Sequence, residues 1–151
     1  MGLLEDLYQD IILEHNKRPR NYGPLEEATH RAAGRNPLCG DELSVSLRLD
    51  GDRIRAVRFQ GQGCAISRAS ASLMTTVLEG RSSAEAIGTI EAVLQGLQSD
   101  QATDFLEGRN DLVALGGVRR FPARIKCATL AWHAARCALK GGEAVTTELE
   151  A

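Results

Sequence analysis

Leu43-Ser44-Val45-Ser46-Leu47-Arg48-Leu49-Asp50-Gly51-Asp52-Arg53-Ile54-Arg55-Ala56-Val57-Arg58-Phe59 is the stretch that decides the architecture. Leu43, Val45, Leu47 and Leu49 alternate with Ser44, Ser46 and Arg48, the period of a half-buried strand. Asp50-Gly51 is a hairpin turn signal, and residues 54–59 read as the returning strand. The apolar phase slips between Ala56 and Val57, which predicts a bulge there. Gly61-Gln62-Gly63 then breaks the strand and delivers Cys64, at the start of what reads as another short strand. The expectation is a small antiparallel three-stranded sheet.

Helical periods flank this meander on both sides. Leu3, Leu4, Leu7, Tyr8, Ile11 and Ile12 recur at three-to-four spacing and predict an amphipathic helix over residues 2–15. Arg18-Pro19-Arg20-Asn21-Tyr22-Gly23-Pro24 ends it with an extended, turn-rich segment. His15, one turn after Ile11, reads as a packed or partly exposed histidine rather than a ligand, because no second ligand stands near it in sequence. From Ser67 a helix shows Ala69, Leu73, Thr76 and Val77 on one face, and Gly80 stops it. Ser83 reads as the N-cap of the next helix, whose stripe is Ile87, Ile90, Val93, Leu94 and Leu97. Residues 98–121 lack a clean period and read as an inserted irregular segment. Pro122 opens a last helix that runs to Lys140 and stops at Gly141-Gly142, leaving 143–151 as a frayed tail. Helix, meander and then several helices make an α+β fold in a single domain spanning residues 1–151.

Bulk properties exclude some functions. The 151 residues carry a formal net charge of −2, so the chain is not built to neutralise a phosphate backbone. Aromatic residues make up only 4%, too few for base-stacking platforms. No nucleic acid is expected as a partner. Nor is a membrane, since no run of 18 apolar residues occurs. Met1-Gly2-Leu3-Leu4-Glu5-Asp6 lacks the basic region and apolar core of a signal peptide, so the expected location is the cytoplasm. There, cysteines are reduced thiols or metal ligands sooner than disulfides.

Three of the four cysteines stand in turn-rich contexts: Asn36-Pro37-Leu38-Cys39-Gly40-Asp41, Gly61-Gln62-Gly63-Cys64 and Arg124-Ile125-Lys126-Cys127. Thiolates bind zinc and iron, and a carboxylate such as Asp41 can complete a four-coordinate site. Asp41 could equally cap a turn beside Gly40. Cys39 and Cys64 fall in loops at opposite ends of the meander, and Cys127 near the start of the last helix, where the macrodipole favours a thiolate. Only the tertiary fold can bring such distant residues together. Cys137 is about 80° around that helix from Cys127, among Ala134, Ala138 and Leu139, and reads as a small packed hydrophobe. His133, about 240° around, is badly placed to share a metal with Cys127.

These motifs resemble the iron–sulfur assembly proteins of the IscU/NifU/SufU superfamily. The likeness rests on Asn36-Pro37-Leu38-Cys39-Gly40-Asp41, on Gly61-Gln62-Gly63-Cys64-Ala65-Ile66-Ser67, and on Lys126-Cys127-Ala128-Thr129-Leu130 with Trp132. Leu7-Tyr8, Ile11-Ile12, His15 and Pro19-Arg20-Asn21 look similar as well, and the likeness covers residues 5–140. It implies a SufE/NifU-like fold. Scaffold-type members carry a histidine directly before the last cysteine, where this chain has Lys126, and their segment between the last two cysteines is shorter. Both departures resemble the SufU branch of zinc-dependent sulfur carriers.

That resemblance implies Zn2+ held by Cys39, Asp41, Cys64 and Cys127, with iron or a 2Fe–2S cluster as the alternative occupant. It implies Cys39 as persulfide acceptor, with Arg124 and Lys126 offsetting the negative charge of the site. The implied partners are a pyridoxal-phosphate (PLP)-dependent, SufS-like cysteine desulfurase and a downstream iron–sulfur scaffold or other sulfur acceptor. Three functions stay open: a zinc-dependent sulfurtransferase, a non-catalytic scaffold on which a 2Fe–2S cluster is assembled and passed on, and a module with purely structural zinc. Lys126 and the longer insert favour the first over the second. Structural zinc more often uses paired C-x-x-C knuckles, which this chain lacks.

Overall fold

A computed structural model describes residues 3–37, 39–98, 115 and 122–146. The elements are α1 (Leu3–Lys17), β1 (His30–Asn36), β2 (Asp41–Asp50), β3 (Arg53–Gln62), α2 (Ala65–Leu78), α3 (Ser83–Gln98), α4 (Pro122–Leu139) and β4 (Ala144–Thr146). The expected α+β class holds, but the sheet has four strands in the order β3-β2-β1-β4. β1–β2 and β2–β3 are antiparallel, and β4 joins β1 in parallel. The inserted segment expected at 98–121 lies, apart from Gln98 and Leu115, outside the described residues.

The β2–β3 hairpin forms as its alternation predicts. Leu43, Val45 and Leu47 of β2 and Ile54, Val57 and Phe59 of β3 are buried. The register slips where Arg48 pairs with Ala56 and Leu49 with Ile54, so Arg55 is the extra residue of the bulge. That is slightly earlier than the apolar phase suggests, because the pairing breaks next to the Asp50-Gly51 turn.

Three differences from the sequence reading have clear physical causes. β1 was not expected as a strand: its buried positions are Ala32, Gly34 and Asn36, so it shows no large-apolar alternation. Small residues are needed there, since a Cβ on Gly34 would lie 3.0 Å from Leu130 Cδ1 of α4. Cys64 does not begin a strand but stands at the N-cap of α2, with extended φ and ψ of −72° and 172°. The tail expected to fray from 143 instead places Ala144, Val145 and Thr146 beside Ala33, Gly34 and Arg35. Its later part, 147–151, lies outside the described residues.

α4 is the central helix. It packs on β1 and β2 and against α2 and α3, while α1 covers α2. Leu130, Ala131, Trp132, Ala134 and Ala135 are fully buried, and Trp132 Nε1 donates to Ser70 Oγ of α2 at 2.9 Å. α2 is buried over more of its circumference than a single stripe: Ser70, Ala71, Ser72, Met74, Thr75 and Leu78 join Ala69 and Leu73, while Thr76 is exposed. α3 buries Ile90, Val93, Leu94 and Leu97 as its period predicts. Its N-terminus is a reciprocal capping box one residue before the expected cap. Ser82 Oγ accepts the Glu85 N–H at 3.1 Å, and Glu85 Oε1 accepts the Ser82 N–H at 3.0 Å. Among the described residues no helix is long and apolar enough to cross a membrane.

Candidate metal centre

The centre forms where β1 turns into β2. Asn36 and Asp41 are register partners across that turn. The Asn36 carbonyl accepts the N–H groups of Cys39 (3.2 Å) and Gly40 (2.9 Å). Gly40 takes a φ of 74°, the left-handed region that a side chain strains, which is why glycine follows the cysteine. The turn leaves Cys39 exposed and sets Asp41, wholly buried, at the first position of β2.

Cys64 and Cys127 come from two helices. Asp41 Oδ1 accepts the backbone N–H of Cys64 at 3.0 Å, so the carboxylate caps the entry to α2 through the backbone. Gly63 makes this closure possible: a Cβ there would sit 2.8 Å from Asp41 Oδ1 and 3.0 Å from Ser67 Oγ. Cys127 is buried on the second turn of α4, with its Sγ 3.4 Å from Cys39 Sγ. That separation is far beyond the ~2.05 Å of a disulfide, and close to the ~3.8 Å edge of a tetrahedron with zinc–sulfur bonds of about 2.3 Å.

The ligand atoms of Cys39, Asp41 and Cys127 all lie within 4.8 Å of one another. Cys64 falls outside that tight group, though its thiol still acts on Cys127. Burial pushes the Cys127 thiol above its ordinary value, and hydrogen bonds to Cys39, Asp41 and Cys64 and then the charge on Cys64 push it further. The anionic form of Cys127 is therefore disfavoured on its own, and a bound dication is what would stabilise it as thiolate. Ser67 Oγ, crowded against the same point as Asp41 Oδ1, is buried without a hydrogen-bond partner among the described residues. The donor set is chemically right for zinc: thiols, one carboxylate, and a packed shell around them.

The remaining sequence candidates fall around this group. Arg124 is exposed on the first turn of α4, and Lys126 is half-buried directly before Cys127. Cys137 is half-buried at the other end of α4, where its Sγ donates to the Ala144 carbonyl at 3.5 Å. His133 is half-buried with Nδ1 3.2 Å from Arg136; burial, and secondly the Arg136 charge, hold it below the usual histidine value. His15 is buried, with Nδ1 2.7 Å from Ser72 Oγ, which makes it the packed rather than the partly exposed histidine of the two readings.

Sequence reasoning missed two polar contributors. Asn36 Nδ2 donates to Asp41 Oδ2 at 3.3 Å and to Cys127 Sγ at 3.6 Å. Its signal was its place at the head of the Cys39 turn, but nothing in the spacing says which way an asparagine side chain points. Ser67 appeared as a helix start and as the last residue of the Cys64 motif, with no role given to its hydroxyl.

The NifU-like N terminal domain family matches residues 7–144. This chain belongs to that family. Among curated members, it is 41% identical over 134 residues to the zinc-dependent sulfurtransferase SufU of Bacillus subtilis, spanning 87% of this chain and 88% of that one. It is 38% identical over 141 residues to the iron-sulfur cluster assembly scaffold protein IscU of Streptococcus pyogenes, spanning 93% and 87%. The crystal structure of FiSufU from Fervidobacterium islandicum AW-1 superposes with a TM-score of 0.80 at 30% identity, covering 89% of this chain and 98% of that one. The NifU-like fold thus accounts for the whole described architecture.

Proposed function

We propose that this chain serves iron–sulfur cluster assembly as a zinc-dependent sulfurtransferase, with Cys39 as the residue that takes up sulfur. The observation that carries the reading is the contrast between an exposed Cys39 on a glycine-hinged turn and a buried Cys127 only 3.4 Å away. One thiol is reachable by another protein, while its neighbours are fixed by β2, α2 and α4. Similarity to a zinc-dependent sulfurtransferase across most of both chains supports it.

Cys39, Asp41, Cys64 and Cys127 are the residues that would hold zinc. When bound, zinc keeps thiols ionised at neutral pH without redox chemistry of its own. Three thiolates and a carboxylate around a dication leave a formal charge of about −2, which Arg124 and Lys126 on the first turns of α4 would offset. The sulfur donor is the cysteine persulfide of a PLP-dependent, SufS-like desulfurase. The Cys39 thiolate attacks the terminal sulfur of that persulfide, forming a new S–S bond on Cys39. The donor's own S–S bond breaks, its electron pair leaves on the desulfurase cysteine as thiolate, and the proton stays on the transferred sulfur. No net oxidation occurs. A downstream iron–sulfur scaffold or other thiol acceptor removes the sulfur by the same exchange in reverse. Such an exchange suits the cytoplasm, where thiols stay reduced.

The scaffold reading is kept as the alternative because an IscU scaffold protein is similar over a comparable length. A purely structural zinc is disfavoured by the exposure of Cys39, since a metal that only holds a fold is better enclosed. The test is mass spectrometry after incubation with desulfurase and cysteine. An added sulfur on the Cys39 peptide, with Cys39→Ala folded but unable to stimulate the desulfurase, is the expected result. An iron–sulfur chromophore as the dominant native form, with Cys39→Ala still stimulating, would favour the scaffold.

A further inference from the structure

We propose that Asn36 is the positioning residue of the centre, orienting Asp41 and Cys127 as one unit toward a shared metal ion. The inference rests on the metal-binding part of the function proposed above and is independent of sulfur transfer.

Asn36 does two separate jobs through two separate groups. Its backbone carbonyl closes the Cys39 turn by accepting the Cys39 and Gly40 N–H groups at 3.2 and 2.9 Å. Any residue type offers that carbonyl, so the turn alone does not call for an asparagine. The side chain goes elsewhere. Wholly buried at the end of β1, it directs Nδ2 to Asp41 Oδ2 at 3.3 Å and to Cys127 Sγ at 3.6 Å. These are one carboxylate and one thiol from elements far apart in sequence, and both belong to the group whose ligand atoms lie within 4.8 Å.

The residue type suits the task. An amide nitrogen carries two N–H bonds and can donate to two acceptors at once. It is neutral, so it adds no charge to the site. An aspartate of the same shape would offer acceptors to acceptors, and a lysine would place a competing cation beside the ion. The arrangement also uses both oxygens of Asp41: Oδ1 takes the Cys64 N–H and Oδ2 takes the Asn36 amide, which fixes the carboxylate plane. Each oxygen keeps a lone pair for a metal. Outer partners of this kind orient ligands and tune their affinity. Cys39, by contrast, is tied to Asn36 only through its backbone N–H among the contacts described, so its thiol can leave while the Asp41–Cys127 pair stays in place.

The experiment measures zinc affinity of the full chain by chelator competition for wild type, Asn36→Ala, Asp41→Ala and the double variant. Cobalt spectra of the same proteins are read alongside. Asn36→Ala is expected to weaken zinc binding by roughly 10- to 100-fold, the usual effect of losing an outer partner. Because Asn36 acts through Asp41 and Cys127 together, adding Asn36→Ala to Asp41→Ala should cost less than Asn36→Ala costs alone, with only the Cys127 share remaining. The cobalt bands should shift in Asn36→Ala, which a merely structural loss would not produce in protein that still binds. Unchanged zinc affinity in Asn36→Ala, or fully multiplicative losses in the double variant, would overturn the proposal. If Asn36→Ala fails to fold by far-ultraviolet circular dichroism, Asn36→Ser, which keeps the turn and a short donor, is measured instead with the same expectation. Failure of both to fold would assign Asn36 to folding and also overturn it. Wild type that binds no zinc would refute the metal centre itself, visibly and before any variant is compared.

Discussion

α2 carries two sets of buried hydroxyls whose surroundings could hardly differ more. In its middle, Ser70 receives Trp132 Nε1 and donates to the Ala128 carbonyl. Ser72 meets His15 Nδ1 and accepts the Arg20 N–H at 2.8 Å. Thr75 accepts Asn21 Nδ2 at 3.0 Å and donates to the Ser72 carbonyl. Every one of these groups is satisfied, and together they bind α4, α1 and the turn after α1 to one helix. At the N-terminal end of α2 the balance reverses. Ser67 Oγ has no hydrogen-bond partner among the described residues, Asp41 crowds against the Cys39 and Cys127 thiols, and burial raises the Cys127 thiol. A buried polar network that closes on itself holds a fold, whereas thiols and a carboxylate gathered within a few ångströms are a donor set for a metal ion.

The largest expected difference between these ends is metal-dependent. Stripping zinc with a chelator should lower the thermal midpoint by about 10 °C, since a ligand at a thousand times its Kd contributes about 4 kcal/mol to a chain of this size. Differential scanning calorimetry with and without chelator checks this, and an unchanged midpoint would erase the contrast. Cys127→Ser should abolish that metal-dependent shift, while Cys137→Ser, at the far end of α4, should leave it intact. Equal losses from both would mean that the two ends of the helix are not distinct.

At the satisfied end, Ser72→Ala should cost about 2 kcal/mol, because it removes the buried hydrogen bonds that its hydroxyl makes with the His15 ring and the Arg20 N–H. Urea unfolding should register that loss, with zinc affinity unchanged. Ser67→Ala is the mirror experiment. Its hydroxyl has no partner to orphan, so the metal-free protein should change by less than about 0.5 kcal/mol, or gain slightly. A loss as large as that of Ser72→Ala would show that the Ser67 hydroxyl is bonded after all.

What could be read from the chain follows the size of its side chains. Leu43 to Phe59 announces its hairpin because large apolar residues alternate with polar ones, and α3 announces its stripe in the same way. β1 stayed hidden because Ala32, Gly34 and Asn36 are small or polar where α4 presses closest. β4 is only three residues long and pairs in parallel with a strand more than a hundred residues earlier, a contact no local pattern reports. In the centre, Cys39, Asp41 and Cys127 stood out through thiol chemistry and turn residues. The roles of Asn36 and Ser67 depend on where one side chain is aimed, and periodicity carries no such information. Cys64 was recognised as a candidate but given the wrong element, since Gly61-Gln62-Gly63 signals a break without saying that a helix follows.

One contact pattern has a mechanical side. β1 and α4 are fastened to each other at three points: Asn36 to Cys127 at one end, Gly34 against Leu130 in the middle, and the Ala33 N–H to the Glu143 carbonyl just beyond the helix at the other. Strand and helix are thus held like a riveted bar, with contacts near both ends. Loading the centre with zinc would tighten the first rivet, so amide exchange at Ala33, which bonds none of the proposed ligands in the contacts described, should slow as the site fills.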